Sequence, residues 1–421
     1  MHRDRVGFIF CAGLSLALAA SSFLACSSEE QHAGSTPVAV PEAGIPEAEA
    51  PVDAPAPPPG YDGGVGLGLS DVADTPCSAR GGSLSVVLAG SDAAPGTGFR
   101  SLQKVGERRV ADAIDGSGFV VFDADGKNAT FIQTSLQGGG TTALAGQIVF
   151  GGGVGTDSAS MQTFGTNGTA SGAPVPLGLD PPAGLAVGAD EQAALAVWAT
   201  TNKFRARGFA GGAAAGDGVY DLALGASTKG PSVAVSSVKN GLFAVAFSGD
   251  DGSSYQTAFG RGSASARIGD PSNLFTGEVP RTVVGLARTP SGFALLVTVA
   301  DGANPYAMLV LLNVGGRPTS AGLKLLGTRE AAAVAVNGSE IGVLAQRREG
   351  TAFESKSAFE FRSFDLAGAP LGPWVCLEAP DTQRRLGGGL VADGAGYAAI
   401  FRAADGSTSL ARFDHLGTAA P

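Results

Sequence analysis

The chain is poor in charged residues, which make up 16% of its 421 positions, and it contains only three histidines, three methionines and two tryptophans. Its 28 basic residues do not cluster, and the formal net charge is −10. Because nucleic-acid binding depends on a basic patch or stripe, the sequence predicts no nucleic-acid partner.

Histidine is too scarce for most histidine-based chemistry. His2 and His32 belong to the N-terminal segments, and His415 lies near the C-terminus. A Ser-His-Asp triad, a histidine general base or a histidine-ligated metal cluster cannot be assembled from the single imidazole of the folded body. We therefore predict no catalytic residue, no metal ligand and no cofactor, and we interpret His415 as a turn residue.

Three other motifs have a chemical and a structural interpretation. Gly151–Gly155 and Gly211–Gly212 lack the Lys-Ser/Thr and the following helix of a phosphate-binding loop, so they are predicted to be strand connections. Asp123–Asn128 has oxygen ligands at alternate positions but lacks the later acidic ligand of a calcium loop, and its Asp-Gly pair already predicts a turn. Asp250–Asp251 could serve in glycoside hydrolysis, although no sequence feature brings two carboxylates together.

The N-terminus has the features of a secretory signal. Arg3 and Arg5 form a basic start, an apolar run extends from Val6 to Leu24, and the small residue Ala25 precedes Cys26. This arrangement resembles the lipobox of bacterial lipoproteins, in which the signal is removed before the cysteine and the cysteine is acylated. The resemblance implies that residues 1–25 are a signal peptide and that Cys26 is lipidated, since two or more acyl chains give stable anchoring.

The match to the lipobox has one departure and leaves two alternatives. Phe23 stands where Leu is commoner in that family. The alternatives are an ordinary signal peptide with an incidental cysteine, and an uncleaved membrane span, for which the apolar run is barely long enough. Ser27 is not the Asp that favours inner-membrane retention in the family, so the resemblance implies an outer-membrane location, with the membrane as a partner through the lipid.

Residues 26–75 are predicted to form a disordered tether. Pro, Ala and acidic residues dominate, as in Pro55–Gly60, and aromatic residues are almost absent. Such a segment cannot bury enough apolar surface to offset the entropy of ordering it. Because proline-rich chains extend by about 3.1 Å per residue, the tether would hold the predicted folded domain, residues 76–421, away from the membrane.

Four cysteines are present, and the N-terminal segment accounts for two of them. Cys11 lies in the signal and Cys26 at the lipobox, which leaves Cys77 and Cys376. In an oxidising compartment this pair is expected to form a disulfide, with two independent buried thiols as the alternative. The loop-entropy relation gives a closed loop of this length a stabilisation of about 4 to 5 kcal/mol.

The body of the chain repeats a short pattern. At Gly241, Gly292 and Gly396 a glycine precedes a Leu or aromatic residue and a short apolar run, and an Asp-Gly pair follows nine or ten residues later. Asp-Gly between apolar strands favours a hairpin turn, because both central residues accept positive φ. Weaker copies begin near residues 118, 146, 192 and 338. The first interval, of 28 residues, is shorter than the later ones, so the first unit is degenerate or misplaced.

Four short strands in each unit of about 40 to 50 residues is the spacing of β-propeller blades, and helical patterns between the units are lacking. The pattern resembles the divergent secreted bacterial β-propeller repeat proteins, whose blades often end in an Arg-Phe-Asp-x-x-Gly-like strand and turn, here Ser363–Gly368 and Arg412–Gly417. The resemblance implies an all-β propeller of seven blades, or six, and transfers no active site. To close the ring, Ser83–Leu88 is expected to complete the last blade, where a Cys77–Cys376 bridge would staple the closure.

These features predict a membrane-anchored extracytoplasmic lipoprotein whose propeller binds an envelope protein or glycan without catalysis. One alternative is a propeller-type glycan hydrolase or lyase that uses carboxylates in the central channel, and another is a structural envelope protein with no small ligand. A channel cluster of Asp, Glu, Arg and Tyr would favour the enzyme. A channel lined by Gly, Ala and Ser would favour binding or scaffolding.

Overall fold

A computed structural model of the chain describes residues 68–79, 84–88, 98–154, 158–178, 184–200, 203–222, 232–239, 242–250, 255–263, 272–302, 305–325, 327–349, 356–378, 387–403 and 406–419. Every helix or strand assigned in these residues is a β-strand. None of their segments forms a helix long and apolar enough to cross a membrane. The predicted signal peptide, Cys26 and most of the predicted tether lie outside the described residues.

The described residues form thirty strands in seven sheets, which are the blades of a β-propeller. The first strand of each blade packs beside the first strand of the next, and the last blade returns to the first. This arrangement confirms the predicted all-β propeller and its seven blades.

Three short strands precede the blades and are called the strap. They are β1 (Leu69–Val72), β2 (Ser78–Ala79) and β3 (Ser85–Leu88). Strands β1 and β2 are added in parallel to the outer edges of blades 5 and 6, whereas β3 pairs antiparallel with the last strand of blade 7. The strap therefore touches the last three blades in chain order.

Blades 1 to 4 are antiparallel meanders of four strands each. From the centre outward they are β4 (Phe99–Val105), β5 (Arg108–Ala113), β6 (Gly118–Asp123) and β7 (Thr130–Gln133); β8 (Gln137–Leu144), β9 (Gln147–Val154), β10 (Ser158–Phe164) and β11 (Val175–Gly178); β12 (Gly184–Ala189), β13 (Ala194–Ala199), β14 (Phe204–Ala210) and β15 (Ala213–Leu222); and β16 (Ser232–Lys239), β17 (Leu242–Asp250), β18 (Tyr255–Ser263) and β19 (Ser272–Gly277).

Blades 5 to 7 have the same meander and are completed by the strap. Their strands are β20 (Arg281–Thr289), β21 (Gly292–Val299), β22 (Tyr306–Asn313) and β23 (Gly322–Leu325), with β1 outermost; β24 (Arg329–Asn337), β25 (Glu340–Glu349), β26 (Lys356–Asp365) and β27 (Val375–Cys376), with β2 outermost; and β28 (Gly389–Asp393), β29 (Gly396–Arg402) and β30 (Thr408–Asp414), with β3 as the fourth strand.

The core lies between the blades. The buried apolar side chains of the described residues form seven clusters, and each cluster joins two neighbouring blades. The second strands of the blades, such as β13 and β21, supply many of these buried side chains. Neighbouring strands flank each second strand within its sheet, and the adjacent blades cover both of its faces. Its sequence is therefore a nearly continuous apolar run. Burial of these faces is the main favourable term holding the ring together.

The Asp-x-x-Gly pattern, with Asn in place of Asp in blade 5, forms the turn that follows the third strand of a blade. In blade 6, Asp365 Oδ1 accepts hydrogen bonds from the backbone N–H groups of Ala367 at 2.9 Å and Ala369 at 2.8 Å. Asn313 in blade 5 and Asp414 in blade 7 accept the corresponding pairs of bonds. A short side-chain acceptor at this position satisfies backbone donors that the hairpin would otherwise leave unpaired.

The glycine of this turn contacts the preceding blade. Gly316 of blade 5 has a φ of +79°, and a Cβ atom there would lie 2.1 Å from Cδ1 of Phe259 in blade 4. Equivalent glycines at 126, 168, 368 and 417 also have positive φ and pack on the blade before them. The motif thus sets both the turn and the spacing between blades.

The ring is closed as the sequence predicts. Strand β3 lies within the predicted segment Ser83–Leu88 and pairs with β30, so the N-terminal strand completes the last blade. Cys77 and Cys376, which are 299 residues apart, form a disulfide with a Cα–Cα distance of 5.2 Å. Arg109 of blade 1 also forms an ion pair with Asp393 of blade 7.

Two sequence assignments near the N-terminal end of the propeller need correction. Strand β1 lies within the stretch that composition assigns to the tether. It joins the sheet through backbone pairing while Leu69 stays 49% exposed, so it carries little hydrophobic signal. Gly118 begins the third strand of blade 1, not the second. The second strand, β5, was missed because Arg109 and Asp112 interrupt its apolar run, although both are buried and paired.

Candidate functional site

The first strands of all seven blades enclose a central channel of about 700 Å³. Parts of the wall also come from residues behind these strands, including Asp112 of β5 and Gln346 of β25. Residues from every blade converge on this channel. Ligand sites typically form where several elements converge on one concave space.

Small and branched aliphatic side chains make up most of the channel wall. On blades 3 to 6 the wall includes Ala186, Val235, Val284, Ala332 and Val334. β-Branched residues are expected on the first strand of a blade, because they fit a pleated surface that is covered on one side. Aliphatic side chains therefore outnumber polar ones, such as Ser232 and Thr282, on this part of the wall.

A polar sector interrupts this wall on blades 1 and 2, with Asp112 at its centre. The Asp112 residue is only 3% exposed. Its Oδ2 accepts a hydrogen bond from Ser101 Oγ at 2.7 Å, and its Oδ1 accepts from the Thr141 backbone N–H at 2.9 Å and from Thr141 Oγ1. Both carboxylate oxygens are therefore engaged by the protein.

Burial raises the pKa of the Asp112 carboxyl above its ordinary value of 3.8. The hydrogen bonds from Thr141 and Ser101 and the charge of Arg100 act in the opposite direction but do not cancel the effect of burial. Desolvation disfavours the charged form of a carboxyl. The Asp112 carboxyl therefore acts within the wall as the hydrogen-bond partner of Ser101 and Thr141.

Ser101 reaches Asp112 from an irregular point of β4. Its φ is +53°, a conformation that non-glycine residues rarely adopt, and the pairing register of β4 with β5 shifts between Arg100 and Gln103. Such a bulge re-aims side chains next to a site. Here it turns the Ser101 hydroxyl toward the buried carboxylate.

The same bulge connects blade 1 to blade 2. Gln103 Nε2 donates to the Thr141 carbonyl oxygen at 2.7 Å, and its Oε1 accepts from the Ala143 N–H at 3.1 Å. Arg100 donates to the Gly139 carbonyl oxygen. The polar sector therefore also serves as an inter-blade contact.

Blade 6 contributes two further polar groups to the wall. Glu330 is half-buried, and Gln346, its partner across the β24–β25 pair, is 5% exposed. The Nε2 atom of Gln346 has no hydrogen-bond partner among the described residues. A buried amide donor without a partner is costly, so a ligand acceptor in the channel would stabilise it.

A second cavity of about 610 Å³ opens at the hairpins that join the first and second strands of blades 1 to 4. Lys104, Asp190, Glu191 and Gln192 lie on its rim, with the glycine turns at 106 and 146 beside them. Charges of both signs occur there, with two acidic residues and one basic residue among the lining.

The residues singled out in the sequence do not meet at a catalytic centre. His415 follows β30 in a turn, as predicted. Gly211–Gly212 form the β14–β15 hairpin, as predicted. Gly151–Gly153 lie inside strand β9, so their prediction as a strand connection is wrong. Glycine is needed at Gly151 because Val187 of the next blade lies too close for a side chain there. Cys26, Asp251 and the Asp250 side chain are outside the described residues.

Asp123–Asn128 forms the third-to-fourth-strand turn of blade 1. Asp123 pairs with Arg108 at 3.1 Å and accepts from Asn128 Nδ2 at 2.6 Å, while Asp125 pairs with Lys127 at 2.8 Å. Cationic partners on both carboxylates oppose the binding of a calcium ion. The turn interpretation is the one that the geometry supports.

Sequence reasoning missed the residues that give the channel its character. Asp112 carries the only signal available, an acidic residue between Ala111 and Ala113 in an apolar run. Ser101, Thr141 and Gln346 carry none, because Ser, Thr and Gln are common on exposed strand faces. Their roles depend on which strands face the channel.

No protein-family model matches the chain, and no curated protein sequence matches it. Among solved structures it is similar to a prolyl endopeptidase, with 14% identity over 80% of this chain and 49% of that chain and a TM-score of 0.48. The hydrazine synthase of Kuenenia stuttgartiensis has 12% identity over 75% of this chain and 94% of that chain, with a TM-score of 0.49. The β-propeller domain of the Trilobed protease from Pyrococcus furiosus has 8% identity over 75% of this chain and 92% of that chain, with a TM-score of 0.44.

The chain spans about half the length of the prolyl endopeptidase that it matches. At identities this low, the similarity concerns the fold alone. Functional sites are grafted onto folds independently, so an activity cannot be carried over from these structures to this chain.

Proposed function

We propose that the protein is a lipid-anchored, extracytoplasmic binding protein whose propeller takes a ligand with an aliphatic body into the central channel without catalysis. The observation that carries this proposal is the channel wall, in which aliphatic side chains of blades 3 to 6 adjoin a short polar sector on blades 1 and 2. A cavity of about 300 to 1,000 Å³ with an apolar lining and a few polar groups is typical of small-ligand sites.

The wall favours an apolar segment of an envelope protein over a glycan. Each sugar hydroxyl that enters an apolar channel without a hydrogen-bond partner costs about 1 to 3 kcal/mol. Polar side chains of the wall are fewer than aliphatic ones, and those of blades 4 to 6 are Ser232, Thr282, Glu330 and Gln346. Arg100, Ser101 and Gln346 could bind one polar end of a ligand while Val235 and Val284 contact its aliphatic body.

Glycan hydrolysis is the alternative, and the channel chemistry supports it less well. Hydrolysis of this type uses two carboxyl groups that flank the scissile bond. Among the described residues of the wall, Asp112 and Glu330 carry carboxylates. Because both oxygens of Asp112 already accept hydrogen bonds, the first of this pair is poorly suited to act as a nucleophile or base.

The channel site can be tested with a matched pair of substitutions. Ala186 lines the channel, whereas Ala367 is exposed on an outer turn of blade 6. The fluorescence of anilinonaphthalene sulfonate, which rises on apolar surfaces, should increase with the wild-type full chain and with Ala367→Trp. It should not increase with Ala186→Trp, because the indole fills the channel.

Equal fluorescence of the two variants would contradict a channel site. Release of reducing ends from an envelope polysaccharide by the wild-type chain, abolished in Asp112→Asn, would instead establish the hydrolase.

The lipid anchor has its own test. Cells that express the full chain are grown with radiolabelled palmitate, and the label on the protein is measured. Cys11→Ala should keep the label, because Cys11 lies in the removed signal, whereas Cys26→Ala should lose it together with membrane association. A Cys26→Ala chain that still carried palmitate would refute lipidation at this residue.

A further inference from the structure

The disulfide between Cys77 and Cys376 lies beside a buried group of charges that links the strap to blade 6. Arg329 is fully buried, and its guanidinium donates to Glu360 Oε2 at 2.8 Å and to Asp74 Oδ1 at 2.7 Å. The guanidinium also lies over the Trp374 ring, 4.5 Å from its centroid. Asp74 belongs to the strap segment just before Cys77, so these contacts hold the same junction as the disulfide.

Glu360 has an oxygen that this network leaves without a hydrogen bond. Its side chain is 0% exposed, and Oε1 has no hydrogen-bond partner among the described residues. Arg347 Nη1 lies 3.8 Å from Oε1, which is beyond hydrogen-bond distance. A buried carboxylate oxygen without a donor is rare and calls for a physical explanation.

The carboxylate of Glu360 lies close to the two sulfur atoms. One carboxylate oxygen of Glu360 and the Sγ atoms of Cys77 and Cys376 all lie within 4.8 Å of one another. Both cysteines are partly exposed, which leaves them accessible to a small reductant and to an ion. Two thiolates and a carboxylate are a ligand set that zinc accepts.

We propose that, once the disulfide is reduced, Cys77, Cys376 and Glu360 bind one thiophilic divalent cation of the zinc class. The strap is then held to blade 6 by two sulfur–metal bonds in place of the sulfur–sulfur bond. With zinc–sulfur bonds of about 2.3 Å, two thiolates on one tetrahedral ion lie about 3.8 Å apart. Cysteines whose Cα atoms are 5.2 Å apart reach this spacing by side-chain rotation. Water would occupy the fourth position.

The chemistry balances in charge and in electrons. A dithiol reductant supplies two electrons and two protons, the sulfur–sulfur bond breaks, two thiols form and the reductant becomes a disulfide. The metal ion then displaces the two thiol protons. Because the ion brings two positive charges and the thiolates two negative ones, the balance between Arg329 and Arg347 on one side and Asp74 and Glu360 on the other is unchanged.

Cobalt absorption tests this site in the purified full chain. The disulfide is reduced with a phosphine, the reductant is removed without oxygen, and Co²⁺ is added as a spectroscopic substitute for Zn²⁺. The reduced chain should bind one Co²⁺ with thiolate-to-cobalt absorption that Zn²⁺ abolishes, and the oxidised chain should show none. Absence of this absorption in the reduced chain would overturn the proposal.

Glu360→Gln separates this site from simple binding by two thiols. In the reduced state this variant should bind Co²⁺ at least about tenfold more weakly, since even the loss of an outer-shell partner costs about 10- to 100-fold. Glu330→Gln, a carboxylate on the channel wall of the same blade, is the matched control and should bind like the wild type. Equal affinity of Glu360→Gln and wild type, as expected if the reduced chain unfolds and its thiols bind alone, would overturn the proposal.

If Glu360→Gln does not fold, Glu360→Asp and Cys376→Ser test in its place whether the carboxylate and both sulfurs bind the metal. The aspartate keeps a carboxylate but withdraws it from the sulfurs, so affinity should fall while the thiolate absorption stays. Cys376→Ser should lose most of that absorption. Retention of wild-type affinity in both would overturn the three-ligand site.

Discussion

Blades 5 to 7 and blades 2 to 4 share one meander but are held in the ring in different ways. The first group carries the added strands of the strap, the disulfide and the buried Arg329 network. The second group relies mainly on apolar packing, as around Trp198 between blades 2 and 3 and between the rings of Phe204 and Phe247 in blades 3 and 4. Reinforcement is concentrated where the two ends of the folded chain meet.

The difference has a physical cause. Blades 2 to 4 are joined to both neighbours by short stretches of continuous chain, so bringing them together costs little loop-closure entropy. The junction of blade 7 with blade 1 unites strands from opposite ends of the domain and costs the most. The disulfide ties the strap, which also supplies the closing strand of blade 7, to blade 6 and so reduces the freedom of the unfolded chain. The ion pair of Arg109 with Asp393 links blades 1 and 7 directly.

Loss of the disulfide should have the largest effect. The double variant Cys77→Ala/Cys376→Ala should lower the free energy of unfolding by about 4 to 5 kcal/mol, because the bridge closes most of the chain into one loop. Denaturant titration of the full chain in the presence of a chelator measures this effect, and reduction of the wild type should reproduce it. A shift below about 1 kcal/mol would show that strand pairing and packing close the ring unaided.

A core truncation in blade 3 should cost slightly less and should be independent of the disulfide. Trp198 is fully buried, and Trp198→Ala should lower the free energy of unfolding by about 3 to 5 kcal/mol through the lost burial and the cavity. The cost should be equal in oxidised and reduced protein, since distant sites add independently. A cost that changed on reduction by more than about 0.5 kcal/mol would mean that the two halves of the ring are coupled.

Substitution of one turn glycine in each group of blades allows the stability costs of the two groups to be compared directly. Gly316→Ala in blade 5 combines the strain of positive φ with a clash against Phe259, and we expect a cost of about 3 kcal/mol. Gly211→Ala in the blade 3 hairpin, where φ is +58° and no atom lies within 4 Å of the added Cβ, should cost only about 1 kcal/mol. Thermal unfolding of both variants measures the difference. Equal costs would indicate that Phe259 moves aside freely.

The smallest effect concerns pH and the channel wall. Because burial raises the pKa of Asp112 above 3.8, the folded state binds its proton more tightly than the unfolded state does. The resulting stabilisation is complete below the ordinary carboxyl pKa and is lost as pH rises through the raised value. Asp112→Asn keeps the shape and the acceptor for Thr141, so it should remove this fall in stability, which begins as pH rises above about 4, the ordinary carboxyl pKa. Identical pH profiles of unfolding would contradict this assignment.

The fold could be predicted because the strand pattern repeats along the sequence. The channel wall and the buried Arg329 network could not be predicted, because their residues lie far apart in the sequence. The repeat markers from 146 to 396 lie on or just before the second strand of successive blades, and the segment Ser83–Leu88 closes the ring, because both are set by local patterns. Blade 1 was misread at Gly118, since its second strand has buried charges where an apolar run is expected. The network of Arg329 with Asp74 joins residues 255 positions apart, and spacing along the chain carries no sign of it.

The placement of the strap also determines how the domain would respond to a mechanical load. A pull on the chain upstream of residue 68 first reaches β1 at the edge of blade 5. When β1 has peeled away, the force arrives at Cys77 and passes through the covalent bond into blade 6. Strand β3 follows Cys77 in the chain, so it lies beyond this point and carries none of the tension. The bridge thus acts as an anchor point that protects the closing strand from a force applied at the N-terminus.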